Sequence, residues 1–380
     1  MKNFILTLMI MSIGACTTSD KQFGSVSSAS LKQFDEPVTQ ADLLSGEVIL
    51  GAPLSTENLP DDNILALTDE MELFLDKYVL SKVEEPYRAR QLNRVLFDDD
   101  IFGMKYDVSK TFTARGAFEN KLGNCLAFSY LYSSFADKAD ILFEYQEVDI
   151  PLDWSPKSGK IDKVWRHINL RVKNGADAGS IFDINEINAT QDLNSRTLTL
   201  PHALALYYSN IGAENLLNGN RSKAFLYFAK GISLTPEEPD LWVNLGVLYK
   251  QQGHYNYAKL AYENALDLDQ ENYTANANMA VLYLTMGNKS KAEYYEKNAE
   301  NSQMTNPNYQ YRMAQAEYNK KRYRKALSHL DVALDHGITK KSYLRLKNKI
   351  EQRKTEKYQL KGSKGKSKIP FYQWDMIAVY

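Results

Sequence analysis

Pro239-Asp240-Leu241-Trp242-Val243-Asn244-Leu245-Gly246-Val247-Leu248-Tyr249, continued by Ala258, Tyr262 and Ala265, decides how the C-terminal half of this chain folds. Its small residues are not isolated. Gly246 belongs to the series Gly212, Gly246, Ala280 and Ala314, and Ala258 to the series Ala224, Ala258, Ala292 and Ala326, both with a step of 34 residues. A fixed step of this length marks a stack of repeated supersecondary units, each unable to bury its apolar face alone. Units begin near Ala205, Pro239, Tyr273 and Pro307.

Trp242, Leu245, Gly246, Tyr249, Ala258, Tyr262 and Ala265 resemble the signature of the tetratricopeptide repeat, a helix-turn-helix unit of this period. The resemblance implies an all-α solenoid over residues 201–340. The small residues fall where the two helices of a hairpin cross, where a larger side chain would push them apart. Glu296 and Glu317 depart from the pattern, at positions where it prefers an aromatic residue. Asn210, Asn244 and Asn278 also recur in phase, before Arg312 breaks the series. In the repeat family this position lies on the inner face of the superhelix, where an amide can bond an extended peptide; simple tolerance of asparagine there is the other reading. A concave face of this kind implies a protein or peptide partner.

Residues 341–380 form a basic tail. Leu344, Leu346 and Ile350 among the lysines predict a capping helix to about residue 357, and Gly362-Ser363-Lys364-Gly365-Lys366-Ser367 reads as disorder. Attraction to anionic lipid is one reading of these charges and a solvated surface the other. Pro370-Phe371-Tyr372-Gln373-Trp374 is apolar enough to dock, at a place the sequence does not name.

The chain starts with Lys2, an apolar run from Phe4 to Ile13, and Ile13-Gly14-Ala15-Cys16. A charged start, a short apolar stretch and small residues before a cut describe an export signal over residues 1–15. The tetrad resembles the lipobox of bacterial lipoproteins, which implies acylation of Cys16; an ordinary signal cut near Ala15 is the alternative. Thr17 and Thr18 stand where that family places aspartate for inner-membrane retention, so the expectation is an outer-membrane lipoprotein facing the periplasm. Residues 16–45, with their serines, read as a flexible tether.

Acylation of Cys16 would leave Cys125 as the only free thiol, since the chain has two cysteines. A formal net charge of −1 gives no field to attract nucleic acid, and 44% hydrophobic residues are ordinary for globular domains. No cofactor motif occurs, and one cysteine beside one strand histidine offers no zinc-ligand spacing, so no metal is expected.

Residues 46–200 form the first domain, of α+β class. Helices are expected from Leu67, with Thr68 as cap, from Pro86 to Leu96, around Thr113 to Glu119, and from Cys125 to Ala136. Strands follow over Ile141–Ile150, Val164–Val172 and Ser180–Ile187, the last two joined by a turn at Asn174-Gly175. Asn124 is a good N-cap, which puts Cys125 in the first helical turn, where the helix dipole favours thiolate. Alternation sets Trp165, His167, Asn169 and Arg171 on one face of their strand, with Arg166 the exception among apolar neighbours. Asp183 interrupts an apolar run and needs a partner, His167 or Arg171. A cysteine nucleophile needs a base, and the base an orienting group; Cys125, His167 and Asp183 supply those types in chain order.

Thr113-Ala114-Arg115-Gly116-Ala117-Phe118, Gly123-Asn124-Cys125-Leu126-Ala127-Phe128-Ser129, Gln146-Glu147-Val148, His167-Ile168-Asn169-Leu170 and Phe182-Asp183-Ile184 together resemble the bacterial transglutaminase-like domain, of papain-like cysteine-proteinase fold. The resemblance covers about residues 65–190. It implies Cys125 as nucleophile, His167 as base and Asp183 as orienting acid, with Trp154 or Gln146 as a side-chain oxyanion donor. Two functions follow as expectations. One is a thiol-dependent peptidase, amidase or acyl transferase served by the repeats, and the other is a non-catalytic scaffold in which the repeats do the work.

Overall fold

The computed structural model describes residues 34–148, 161–184, 195–335, 341–357 and 375–379. Cys16, the export signal and Pro370–Trp374 lie outside them. Among the described residues no helix is long and apolar enough to cross a membrane.

The first described segment is docked. Thr39 and Asp42 exchange side-chain and backbone hydrogen bonds in a capping box that opens α1 (Gln40–Ser45), and left-handed Gly46 (φ 62°) turns the chain into α2 (Glu47–Leu50). Leu43 is fully buried, Phe34 lies edge-on to Tyr283, and the Tyr249 hydroxyl donates to the Leu43 carbonyl at 2.5 Å. The expected tether over residues 16–45 is thereby corrected for residues 34–45. Phe34 and Leu43 bury apolar surface against the repeats, which holds residues 34–45 in place. Ile49, Leu50, Leu54 and Leu59 pack against the same repeat core, so residues 46–59 join the C-terminal half rather than the first domain.

Thr68 caps α3 (Asp69–Leu75) by accepting from the Met71 N–H. One wider turn, Asp76–Leu80, ends that helix, and a 3₁₀ turn at Glu85–Tyr87 leads into α4 (Arg88–Phe97). Strand β1 (Lys105–Tyr106) pairs in parallel with β2 (Leu122–Gly123) around α5 (Ala114–Asn120). Helix α6 (Cys125–Lys138) is buried at every residue from Cys125 to Ala136, which explains its nearly uniform apolar and small composition.

Of the strands, β3 (Phe143–Val148), β5 (His167–Val172), β6 (Ile181–Phe182) and β7 (Ser195–Leu198) form an antiparallel sheet in the order β6-β5-β3-β7. The strand expected over Val164–Val172 is two. Strand β4 (Ile161–Trp165) leaves the sheet and pairs in parallel with β8 (Asp375–Val379), at the far end of the chain. The break falls at Arg166, whose guanidinium turns away to Glu147 and Asp240. Of the third expected strand, Ile181–Phe182 is paired and residues beyond 184 lie outside the described set.

From residue 200 the chain is helical hairpins: α7 (Leu200–Leu217) with α8 (Arg221–Leu234), α9 (Pro239–Gln251) with α10 (Tyr255–Leu268), α11 (Tyr273–Thr285) with α12 (Lys289–Thr305), and α13 (Pro307–Asn319) with α14 (Tyr323–Asp335). Helix α15 (Lys341–Lys357) caps the stack, laying Tyr343, Leu346 and Ile350 on Ala326, Leu330 and Ala333. The small residues sit at the hairpin crossings. A Cβ on Gly246 would lie 2.4 Å from the Tyr262 ring, and one on Gly212 would lie 2.5 Å from that of Phe228.

Candidate functional site

Pairing of β1 with β2 fixes the chain just before Cys125. The Asp107 N–H donates to the Gly123 carbonyl at 3.0 Å and the Asn124 N–H to that of Lys110 at 2.9 Å. Gly123 must be small here, because a Cβ would meet that of Ala127 at 2.5 Å. Asn124 caps α6 by accepting from the Ala127 N–H at 3.0 Å and donates to the Thr111 hydroxyl at 2.8 Å. Cys125 is therefore the first residue of a fourteen-residue helix, where the N–H groups lack intrahelical acceptors and the dipole is positive. Its side chain is 3% exposed.

His167 opens β5 and is also buried. Its Nε2 lies 2.5 Å from Asp183 Oδ2, and its ring is hydrogen-bonded to the Cys125 side chain. Burial works against charge on the ring, but Asp183 and Cys125 outweigh it, and His167 is raised to about 10. The structure thus brings Cys125, His167 and Asp183 together. Arg171, the other partner open to Asp183, lies instead 3.8 Å from Glu144.

Of the two oxyanion candidates, Trp154 lies outside the described residues. Gln146 is buried on β3 opposite Asn169, on the face that carries His167 by strand alternation. Its Nε2 points to Glu144 at 3.4 Å, while its Oε1 and both amide atoms of Asn169 have no protein partner. These amides form a buried polar patch beside His167.

The repeat asparagines do not face open solvent. Asn210 donates to the Thr111 hydroxyl at 3.1 Å, so one threonine joins it to Asn124, the cap of Cys125. Asn244 donates to Ser209 of the preceding hairpin at 3.0 Å, and both Asn244 and Asn278 are fully buried. Sequence reasoning missed Thr111, since nothing local marks a threonine as a hub between distant segments.

It also missed a charge network between the sheet and the repeats, in which buried carboxylates meet partly exposed arginines. Glu147 lies 3.1 Å from Arg166 and 2.5 Å from Arg196; Arg166 reaches Asp240 at 2.5 Å, and Arg196 reaches Glu238 at 2.8 Å. His202 Nε2 stands 2.8 Å from Glu238, and Asn272 donates to Asp240 at 3.2 Å. Burial opposes charge on Glu238, but His202 and the two guanidinium groups prevail and hold it down to about 2. Asp240 goes the other way, raised by burial in spite of Arg166. The available signal was Arg166 itself, a charge breaking an apolar alternation.

The tetratricopeptide repeat family model matches residues 239–272, which span α9 and α10. Similar solved structures include the crystal structure of the APC/C hetero-tetramer Cut9-Hcn1, at 19% identity over 41% of this chain and TM-score 0.25. Others are MamA, residue 41 to the end, from Desulfovibrio magneticus RS-1 (17% identity, 41% of this chain, 88% of that one, TM-score 0.25) and PilF of Pseudomonas aeruginosa (18%, 43%, 96%, TM-score 0.22). The chain spans 31% of the length of the first of these. Comparison with curated proteins returns no match. Residues 239–272 match one tetratricopeptide repeat, and the helical hairpins on either side repeat the same architecture, which supports binding to protein partners.

Proposed function

We propose that this chain is a repeat-based protein-interaction module that also carries a cysteine-dependent centre for amide chemistry. One observation carries the second part: a thiol at a helix start, hydrogen-bonded to a buried histidine whose ring lies 2.5 Å from a carboxylate. On this reading Cys125 Sγ attacks an amide carbonyl carbon, the C–N bond breaks, and His167 delivers its proton to the departing amine. Water or a second amine then resolves the thioester, giving hydrolysis or transfer. The Cys125 N–H, at the first helical position, supplies an oxyanion donor, with Gln146 or Trp154 as the side-chain candidate. We assign the region around residues 65–190 to a transglutaminase-like domain of papain-like fold on the motifs quoted above. Acylation of Cys16 would tether the protein to the outer membrane, facing the periplasm; intact-mass analysis of the mature N-terminus tests this, and an unmodified Cys16 overturns it.

A second reading is a non-catalytic scaffold. It is favoured by the family match, which falls on the repeats, and by the 3% exposure of Cys125. Alkylation with iodoacetamide across pH separates the two. The catalytic reading expects Cys125 to react at pH 6 at least about tenfold faster than free cysteine, and His167→Ala to slow it by a similar factor. A rate no faster than free cysteine leaves the scaffold.

A further inference from the structure

Strand β4 has one strand partner among the described residues, and it comes from the other end of the chain. Asp375–Val379 runs parallel to Ile161–Trp165 in the register Ile161↔Asp375 to Trp165↔Val379. The same strand packs against α7, α9 and α11, the first helix of each of the first three hairpins. Those three helices carry Asn210, Asn244 and Asn278, the positions the repeat pattern assigns to the inner face. The concave side is therefore filled by an extended segment that offers its backbone to β4 on one edge.

We propose that this concave side is a peptide site whose resident ligand is the chain's own strand β8, and that the partner it takes in trans is another extended, apolar segment. The proposal rests on the reading of the repeats as a binding module and not on the thiol chemistry. Two isolated strands are marginal in water, so neither β4 nor β8 persists without the helices behind them. Strand addition supplies affinity through the main chain, while apolar residues supply burial. The composition fits such a ligand. From Ile369 to Tyr380 no Lys or Arg occurs, whereas Lys361, Lys364, Lys366 and Lys368 crowd the stretch before it. A covalent link to its own site gives the tail a millimolar-scale effective concentration, so a partner must out-compete a tethered ligand. Strand β4 also runs through Arg166 directly into His167, which puts the occupant of the groove one strand from the thiol.

The test uses the full chain, a chain ending at Trp374, and a fluorescein-labelled peptide of residues 369–380. The shortened chain should bind the peptide with micromolar affinity by fluorescence polarisation, and the full chain at least about tenfold more weakly. Equal affinities, or no binding to a shortened chain that keeps its helical circular dichroism, overturn the proposal. Should the shortened chain unfold, the full-length Ile377→Pro variant decides, because proline breaks strand pairing without removing the tail. Hydrogen exchange at Ile161–Trp165 should quicken at least about tenfold in that variant while α9 and α11 stay protected; unchanged exchange at β4 overturns the proposal. Neither readout involves Cys125, so a failed thiol assay leaves both intact.

Discussion

At His167 burial and hydrogen bonding oppose each other, and the outcome has a sign that can be checked. Burial favours the neutral ring, Asp183 and Cys125 favour the charged one, and the result is about 10 against an ordinary 6.5. The folded chain thus holds this proton more tightly than the unfolded chain. The stability it contributes is fully present below the unfolded value and is lost as pH rises through about 10. Replacing Asp183 by Asn keeps the shape and removes the charge, so the ring should titrate at least a unit lower, each unit being about 1.4 kcal/mol. Urea unfolding at pH 6, 8 and 10 should show Asp183→Asn less stable than wild type by on the order of 2 kcal/mol at pH 6, with the gap closing toward pH 10. A gap that does not move with pH would reduce Asp183 to a packing residue.

Among the elements, the hairpin crossings are where sequence and packing agree most closely. Gly246→Ala would ordinarily help a helix by about 1 kcal/mol. Here the new Cβ meets the fully buried Tyr262 ring at 2.4 Å, so a net loss of about 2 kcal/mol is expected in thermal or urea unfolding. Tyr262 is itself fully buried in the repeat core, where close packing resists displacement of the ring. A neutral or stabilising Gly246→Ala would mean that the repeat tolerates a wider crossing than its 34-residue series of small residues implies. The repeats were legible because each unit repeats the same local constraint. Asn124, Cys125, His167 and Asp183 were legible because caps, alternation and a lone acid in an apolar run are local signals too. Docking of α1, the break at Arg166 and the pairing of β4 with β8 were not, since each depends on a partner far away in the chain. Nothing within Val164–Val172 says that its first residues will pair with Asp375–Val379.

Across the whole molecule, the sheet and the repeats are joined by charge as well as by apolar contact, and Arg166 is the shared member. It bridges Glu147 on β3 to Asp240 on α9, and its positive charge also lowers Glu238. Removing it takes the Arg166 guanidinium away from Asp240, 1% exposed at its side chain, and breaking a buried pair in this way costs about 3–5 kcal/mol. Asp240 already lies above its usual range, and without Arg166 it must rise further; Glu238, held low in part by Arg166, must rise as well. A carboxyl raised in the folded state stabilises only while protonated, and that contribution fades as pH rises through the raised value. Arg166→Ala should therefore be least damaging near pH 5 and most damaging near pH 8, the reverse of ordinary acid denaturation. Pairs whose carboxylates are this buried are screened much less than exposed ones, so 1 M salt should change the loss little. Adding Asp240→Asn should recover part of the stability at pH 8, since a neutral amide at that site still accepts from Asn272. Urea midpoints for the single and double variants at both pH values give the answer, and a loss that is screened by salt and independent of pH would place Arg166 at a solvated surface instead of at the join.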